Sequence, residues 1–440
     1  MHNDANPFAL KGESIMNHTR NVALVVALSV GALALSACSP FASGGDDSDI
    51  TLLTLDGGED NLALEEIVDA FEAKNDGVHI EITYVPEDTY PTKLQTALLA
   101  DAPDIAAPYG ADTMLSFEPL DDVVFDAYGL QPDDYNSVLE SFCGLNGKLY
   151  CLGTTVGNMG LFYNKAMFDA AGLPYPSSSE AMSFDDFAAL AAQLTVDGSD
   201  AEKVWGAGAD IIQAYLNPEH YLDETGRTVD VLNDGYLGTV ETLAGMVAAG
   251  TFPSSGQTLS VGGSDDGLGL QTMFLEGKLA MFVGDNYAVD SIEATDIPYG
   301  LAPVPVVAGD DPWVPVWTNT FGIPLGSAHK DVAADFLAFM ATEGQTIQAK
   351  YGQMPLLTSV AETWADTEGR QQLVEVSKLA RPGIFNPNIW AWNAPLIDAY
   401  KAALRGEPIL PLHEDAQPKA QQANDTTWET FDQAVAAAAG

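Results

Sequence analysis

The hydrophobic and polar positions after residue 49 alternate between the strand period and the helix period. An apolar run at 50–55 predicts a strand, and the next apolar positions are three and four residues apart, as on one face of a helix. These positions are Leu64, Ile67, Val68 and Phe71. Alternation at 78–84 predicts a half-buried strand, a helix follows near 94–98, and 104–107 suits a third strand. This β-α-β-α-β order predicts a doubly wound α/β sheet, in which ligands bind beyond the carboxyl ends of the strands.

Helical patterns dominate after residue 150. Phe184, Phe187, Leu190 and Leu194 form one apolar stripe, and 332–340 contains another. A proline-rich stretch at 298–315 lies between them. Because proline interrupts both helices and sheets, this stretch is a candidate crossover between two lobes.

Ahead of the folded part, the chain has the layout of a secretory signal. Arg20 precedes an apolar run of about 16 residues, which is shorter than the roughly 20 residues that a bilayer-spanning helix needs. The run ends in Leu-Ser-Ala-Cys, which resembles the lipobox of bacterial lipoproteins, in which the cysteine is lipidated. We therefore expect residues 1–37 to be a signal peptide with its true start at Met16, followed by lipidated Cys38.

Residues 38–49 are rich in Ser, Gly and Asp, which suits a flexible tether that holds a domain away from a membrane. The alternative to lipidation is an ordinary signal peptide with a coincidental cysteine at its end. Both interpretations put the mature protein outside the cytoplasm.

Charge narrows the choice of ligand. The 440 residues contain 63 acidic and 17 basic side chains, a net charge of −46, yet 47% are hydrophobic. That apolar content excludes a disordered acidic chain. Nucleic acid is excluded as a partner, since its binding depends on Lys and Arg neutralising phosphates. Neutral or cationic small molecules are favoured.

Two cysteines remain after Cys38. Cys143 and Cys151 flank an Asn-Gly turn at 146–147 between two short potential strands, which could bring the thiols opposite each other. A disulfide is therefore plausible in an oxidising compartment, and two separate buried thiols are the alternative.

Catalytic signatures are missing from the sequence. The six histidines are scattered, and no zinc-binding, P-loop, Gly-x-Ser-x-Gly or EF-hand pattern occurs. Acidic residues are too abundant for a glycosidase pair to be chosen from sequence. From the residues alone, an enzyme is therefore possible but unsupported. Asp-rich loops such as 264–267 could bind calcium, but solvated turns are the preferred interpretation, and we predict no cofactor and no metal site.

Residues 146–153 and 160–174 resemble the central signature of the extracellular solute-binding proteins of ABC sugar importers, a family similar to maltose-binding protein. Residues 273–284 and 321–340 resemble two further segments of that family in order and spacing. Gly153 departs from the pattern, since the family usually has proline there.

The resemblance implies a two-lobed α/β fold of the periplasmic-binding-protein type and no catalysis. Each lobe would be a doubly wound sheet flanked by helices, with a ligand cleft between the lobes. Lobe one would be 50–155 plus 304–355, and lobe two 156–303 plus 356–440. The implied protein is a monomer, anchored to the outer face of the cell membrane by its lipid, whose partners are a small-molecule ligand and the membrane subunits of an ABC permease.

A sugar site needs aromatic rings beside planar polar groups, because sugars present hydroxyls and flat C–H faces. The chain has both types at the positions that the family would use. The candidates are Glu59, Asp60, Tyr109, Asp112, Asn158, Asp285, Asn286, Tyr287, Trp317, Asn319, Trp390 and Trp392. The acidic residues ahead of helices could instead be N-caps, and the tryptophans could be core. In the Tyr163-Asn164-Lys165 motif, we expect the side chains to serve the strand end and the helix start.

The leading interpretation is a lipoprotein that captures a neutral sugar or oligosaccharide and delivers it to a permease. Within the same architecture, a polyol, a glycerophosphodiester or an amine is the nearest alternative. A surface glycoside hydrolase and an adhesive lipoprotein without a small ligand are the rivals from other classes.

Overall fold

A computed structural model describes residues 49–57, 60–199, 202–209, 216–260, 268–380 and 384–438. The predicted signal peptide, Cys38 and nearly all of the predicted tether lie outside these residues. Within the described ranges, no helix combines the length and the apolarity that crossing a bilayer requires.

The described strands and helices alternate at first, and later the chain has runs of consecutive strands and of consecutive helices. The strands are β1 (Asp49–Leu55), β2 (His79–Val85), β3 (Ile105–Ala106), β4 (Gly144–Leu145), β5 (Lys148–Leu149), β6 (Leu152–Gly153), β7 (Gly157–Asn164), β8 (Met281–Asp285), β9 (Tyr299–Ala302), β10 (Val316–Trp317) and β11 (Thr320–Phe321). The α-helices are α1 (Asp60–Glu72), α2 (Tyr90–Leu99), α3 (Ala111–Met114), α4 (Val138–Cys143), α5 (Lys165–Ala171), α6 (Phe184–Leu194), α7 (Asp234–Ala248), α8 (Ser255–Ser260), α9 (Leu268–Leu275), α10 (Ala288–Glu293), α11 (Lys330–Ala341), α12 (Glu343–Gln348), α13 (Thr358–Trp364), α14 (Glu368–Ser377), α15 (Ala394–Leu404) and α16 (Ile409–Ala438). A π-helical turn at Asp121–Asp126 and 3-10 turns at Pro132–Asp134, Pro218–His220, Ala349–Tyr351 and Ile389–Ala391 complete the helical segments.

The first sheet is parallel, with strand order β2-β1-β3. The neighbouring side chains of Leu52 and Leu53 in the central strand β1 point to opposite faces, and both are buried. Both faces of the sheet are therefore covered, as is usual where helices connect parallel strands. The predicted apolar face of α1 is confirmed, because all four of its residues belong to the adjoining hydrophobic core.

A hairpin precedes the second sheet. Strands β4 and β5 pair antiparallel around Asn146 and Gly147, whose φ angles are 53° and 75°. Positive φ at both central residues defines the turn type that the Asn-Gly pair favours, so the predicted turn is confirmed. In the structure, a disulfide joins Cys143 and Cys151, whose Cα atoms are 4.9 Å apart.

The second sheet is built around β7, which pairs antiparallel with β8, β9 and β10. Phe162 of β7 stacks on Phe282 of β8, with 4.9 Å between the ring centroids. At its end, β7 passes directly into α5. The Asn164 side chain caps this helix by accepting from the Met167 N–H at 3.3 Å, and Lys165 forms a 2.8 Å ion pair with Glu368. The structural role predicted for this motif is confirmed.

Three chain segments run side by side beside these sheets. The segment from β6 to β7 is hydrogen-bonded on one side to 316–321, through β10, β11 and a 3.1 Å bond from Thr154 N–H to the Asn319 carbonyl. On its other side it bonds to 354–356, where the Val156 N–H donates to the Met354 carbonyl at 2.8 Å. This bundle of extended segments positions most of the candidate residues described below.

The C-terminal helix α16 uses one polar face to bind an extended segment, 226–231. The side-chain oxygens of Gln417 and Gln421 accept from backbone N–H groups of this segment at 2.9 and 2.7 Å. One turn further on, the Asn424 amide and the Trp428 indole donate to the Gly226 carbonyl at 3.1 and 2.8 Å. Since side chains three and four residues apart share a helix face, a single face makes all these bonds.

Candidate functional site

Asn158 and Asn286 lie together where β7 and β8 meet. The Asn286 side-chain oxygen accepts from the Asn158 N–H at 3.0 Å, and the Asn286 N–H donates to the Asn158 carbonyl at 3.0 Å. Asn158 is fully buried, yet its side-chain oxygen has no hydrogen-bond partner in the protein. A buried acceptor without a partner costs free energy, so this oxygen is suited to a donor supplied by a ligand.

Trp317 lies against the start of β7, where it pairs with Gly157. A Cβ atom at position 157 would fall 2.1 Å from the indole nitrogen of Trp317. Only glycine therefore leaves room for the indole beside the strand. Of the two neighbours Gly157 and Asn158, the sequence favours Asn158 as a ligand-binding residue. In the structure, Gly157 instead makes room for the half-buried ring of Trp317.

Tyr109 and Asp112 follow β3 on the side of the first sheet. Tyr109 is partly buried against Tyr90, with 6.0 Å between the ring centroids. Asp112 lies in the first turn of α3, which has Gly110 at its N-cap and no side-chain cap. The alternative role of Asp112 as an N-cap is therefore wrong.

The Asp112 carboxylate is the second group with an unpartnered atom. Its Oδ1 is buried without a hydrogen-bond partner in the protein. Burial raises the pKa of the Asp112 carboxyl, although the backbone N–H groups of Asp112 and Thr113 act in the opposite direction. A ligand that donates a hydrogen bond to Oδ1 would favour the ionised form.

Asn388 comes close to Asp112 from a distant part of the chain. Gly110 has φ 92°, and a Cβ atom there would lie 2.7 Å from Asp112 Oδ1 and 3.0 Å from the Asn388 side-chain nitrogen. The neighbouring Pro387 carbonyl accepts from the Ala111 N–H at 2.8 Å. In the sequence, Asn388 stands in the same cluster as Trp390 and Trp392, and Gly110 lies between Tyr109 and Asp112, but neither is among the predicted ligand-binding residues.

Segment 317–320 connects the two groups of residues. Beyond Trp317, the Thr320 hydroxyl donates to the Pro108 carbonyl at 3.4 Å, beside Tyr109. Asn319 borders a pocket of about 60 Å³ at the carboxyl ends of β1 and β3. Its lining also includes Thr54, Gly57, Asn61, Ala107, Thr154, Thr320 and Gln348. Of these residues, only Asn319 is among the candidates predicted from the sequence, because the others carry no distinctive local signal.

The remaining candidates divide into three cases. Asp285 and Tyr287 flank Asn286, and the Asp285 carboxylate accepts from the Tyr287 N–H at 3.0 Å. Trp392 is fully buried in the core beside the second sheet, and its indole donates to Asn386 Oδ1 at 3.0 Å, so its ring has no exposed face for a ligand. The last case lies outside the described residues. It comprises Glu59 and the side chains of Asp60 and Trp390.

The site is therefore an arrangement for binding. It combines amides, carboxylates and aromatic rings, which are the groups that recognise hydroxyls and flat apolar faces. Among the described residues, no three His, Cys, Asp or Glu side chains come together in a way that could hold a metal ion.

Comparison with known proteins gives consistent results. The model of a family described as bacterial extracellular solute-binding protein matches residues 57–347. A protein of Brucella abortus (strain 2308), whose description as a binding protein is itself provisional, is 25% identical over 264 residues, or 55% of this chain. The chain spans 59% of the length of that curated relative.

Three solved structures resemble the fold. The sugar-binding protein MalE from Xanthomonas citri superimposes with a TM-score of 0.69 and 18% identity, covering 88% of this chain and 99% of that one. An ABC substrate-binding protein from Listeria monocytogenes, in complex with cycloalternan, has a TM-score of 0.68 and 19% identity, with 88% and 100% covered. The GacH receptor of Streptomyces glaucescens, solved unliganded and with acarbose, gives 0.66 and 20%, with 88% and 99% covered. This chain therefore has the two-lobed fold of these proteins.

Proposed function

Because the chain belongs to the bacterial extracellular solute-binding protein family, we propose that it captures a neutral sugar or oligosaccharide for an ABC importer. The family consists of binding proteins, so we propose no catalytic step. The solved relatives in complex with cycloalternan and acarbose support a sugar as the ligand class.

The observation that carries this proposal is the buried side-chain oxygen of Asn158. The buried oxygen of Asn158 has no partner in the protein, and the Trp317 ring lies on the neighbouring strand. A sugar hydroxyl would supply the donor that this oxygen lacks, and the apolar face of a sugar suits an aromatic ring such as that of Trp317. The same edge continues through Asp285, Asn286 and Tyr287. The polar and aromatic groups on the other side of the site are Asn319, Tyr109 and Asp112.

Anchoring and delivery belong to the same proposal. Cys38 would be lipidated and would hold the protein at the outer face of the cell membrane, where a permease receives the solute. Lobe one would consist of 50–155 plus 304–355, and lobe two of 156–303 plus 356–440. The bonded segments near residues 154–158, 316–321 and 354–356 would then be the hinge about which the lobes close. The protein would act as a monomer.

One observation favours a second candidate, an amine. Asp112 Oδ1 is an acceptor without a partner, and an ammonium group donates to a carboxylate more strongly than a hydroxyl does. The strong negative charge of the chain would also attract a cation.

A thermal-shift and calorimetric screen tests both candidates. The full chain carrying Cys38→Ser is titrated with maltose, maltotriose, mannotriose, mannitol and choline. A ligand that binds only the folded state adds about 2.7 kcal/mol at 100 times its dissociation constant, which gives a clear rise in melting temperature. We expect a rise with at least one sugar and its loss in Trp317→Leu.

Phe142→Leu is the matched control, because Phe142 is an exposed ring on α4. This variant should bind like the parent protein. A response to choline alone would support the amine candidate. If folded protein responds to none of the sugars, the sugar proposal is wrong, and if chromatography recovers cleaved sugar, the protein is a hydrolase.

A further inference from the structure

The candidate residues at 285–287 continue directly into a short helix. Tyr287 is the residue before α10, and the Asn286 carbonyl accepts from the Val289 N–H in the first turn of that helix at 3.2 Å. A helix of six residues is too short to be stable through its own hydrogen bonds. The position of Asn286 and Tyr287 therefore depends on the contacts that hold α10.

The two faces of α10 are held in different ways. Ala288, Val289 and Ile292 are buried in the hydrophobic core. Apolar burial is non-directional, so it attaches the helix to the core without fixing its rotation. Asp290 and Glu293 are three residues apart and share the other face of the helix. The direction of α10 is therefore set by whatever binds these two carboxylates.

Arg370 binds both carboxylates and joins them to the start of α14. Its Nη2 lies 2.9 Å from Asp290 Oδ1, and its Nε lies 3.5 Å from Glu293 Oε2. Its Nη1 lies 3.2 Å from Oδ1 of Asp366, which comes just ahead of α14. One guanidinium thus holds three carboxylates from two distant parts of the chain.

The Arg370 side chain is itself fixed in place. Its guanidinium carbon lies 4.9 Å from the centre of the Trp364 ring, within the range of a cation–π contact. The Thr367 hydroxyl donates to Glu293 and also accepts from the Arg370 N–H at 3.2 Å, which caps α14. Only 20% of the Arg370 side chain is exposed, so salt screens its ion pairs less than those of a fully exposed arginine.

Loss of the Arg370 charge would act in a defined direction. Asp290, Glu293 and Asp366 would face one another without a positive charge between them, and like charges repel. The repulsion would push α10 away from the start of α14. Because Tyr287 directly precedes α10, its ring would move with the helix.

We propose that Arg370 is a positioning residue of the binding site, which sets where Tyr287 meets the solute by holding Asp290 and Glu293 of α10. The inference rests on the proposed function, because it concerns the site where the solute would bind. Arg370 acts through α10 and not through contact with the solute.

Hydrogen exchange without added solute tests whether Arg370 holds α10. The full chain carrying Cys38→Ser is exchanged into deuterated buffer, and mass spectrometry follows peptides that cover 281–299. In Arg370→Gln we expect the N–H groups of α10 to exchange about tenfold faster than in the parent protein, because the helix opens locally.

Glu368→Gln is the matched control for this substitution. Glu368 lies on the same helix as Arg370, but its ion-pair partner is Lys165 on α5, and its side chain is 71% exposed. Exposed ion pairs contribute little to stability, so α10 should exchange at the parental rate in this variant. Parental exchange in Arg370→Gln, or equal acceleration in Glu368→Gln, would overturn the proposal.

A double-mutant cycle tests whether Arg370 acts through Tyr287. Calorimetry uses whichever of maltose, maltotriose and mannotriose raises the melting temperature of the parent protein. Affinity should be about fivefold weaker in Arg370→Gln. In a Tyr287→Ala background the same substitution should change affinity by less than about twofold, since the ring that Arg370 positions is gone. An equal loss in both backgrounds would mean that Arg370 has a structural role only.

The two measurements separate failure of this inference from failure of the proposed function. If a sugar binds the parent protein and binds Arg370→Gln equally well, only the positioning role of Arg370 is wrong. If no sugar binds the folded parent protein, the proposed sugar function is wrong and the positioning role falls with it, whatever the exchange of α10 shows.

Discussion

The two sides of the proposed site hold their polar groups in different ways. On the side of the second sheet, Asn158 and Asn286 are built into the pairing of β7 with β8, and both are buried. On the side of the first sheet, Tyr109 precedes the four-residue helix α3, and Asp112 lies within it. Backbone pairing fixes the first group, whereas a short helix and a distant segment hold the second. We therefore expect substitutions on the second-sheet side to cost folding stability as well as affinity, and those on the first-sheet side to change mainly affinity.

The strongest test of this difference is Gly157→Ala. The new Cβ would collide with the buried edge of Trp317, so the indole or the strand must move. We expect a loss of about 3 kcal/mol in unfolding free energy, at the upper end of overpacking costs, and at least tenfold weaker solute binding. Urea unfolding and calorimetry measure the two effects.

Gly238→Ala is the matched control for that substitution. Gly238 lies inside α7, and nothing lies within 4 Å of a Cβ placed there. Alanine should therefore stabilise the protein by about 0.5–1 kcal/mol and leave binding unchanged. If Gly157→Ala and Gly238→Ala had the same effects on unfolding free energy and on binding, the close packing of Trp317 on Gly157 would not be important.

Asn286→Ala comes next in expected size. It removes the oxygen that accepts the Asn158 N–H and leaves a buried donor unsatisfied. The expected cost is about 2 kcal/mol of unfolding free energy. Asn286→Asp keeps an acceptor at this position and should recover most of that loss in the same urea titration. Equal losses in both variants would show that the hydrogen bond is not what matters.

Asp112→Asn on the other side should have the smallest effect on folding. Because burial raises the Asp112 pKa in the folded protein, the folded state binds more protons than the unfolded state between the two pKa values. Stability from this group is therefore present at low pH and is lost as pH rises through the raised pKa. Asparagine removes the charge and should make the protein slightly more stable at neutral pH.

The same substitution should flatten the pH dependence of binding. A donor on the solute prefers the ionised carboxylate, so parental affinity should fall as pH drops through the pKa range of Asp112. In Asp112→Asn the affinity should be weaker at neutral pH by about 1 kcal/mol and independent of pH over that range. Calorimetric titrations of the parent protein and of Asp112→Asn at several pH values measure the affinity and its pH dependence. A parallel fall in both proteins would mean that Asp112 does not contact the solute.

Much of the fold could be predicted because its signals are local. The apolar face of α1, the Asn164 cap of α5 and the Asn-Gly turn of the hairpin each depend on residues within a few positions of one another. The antiparallel pairing around β7 was not apparent from the sequence, since β8 and β9 lie more than 100 residues further along the chain. The predicted lobe boundaries and the lipidation of Cys38 stay predictions.

The site was predictable only in its residue types. Trp317 and Trp392 both stand near proline and asparagine, but one lies half-buried on a strand and the other in the core. That difference comes from contacts with Gly157 and Tyr221, which no local pattern contains. For the same reason, the approach of Pro387 to Ala111 joins residues nearly 280 positions apart and could not be foreseen.

The polar face of α16 also covers backbone donors that another strand could use. The N–H groups of Val229 and Val231 lie two positions apart, so they point the same way along an extended segment, as on the open edge of a β-sheet. Open edges recruit strands from other molecules, and proteins commonly cover them with a helix or loop. Here the side-chain amides of Gln417 and Gln421 occupy those donors. The long C-terminal helix thus covers donors to which another strand could otherwise bond, and this cover, unlike charge repulsion between very acidic molecules, does not weaken in high salt.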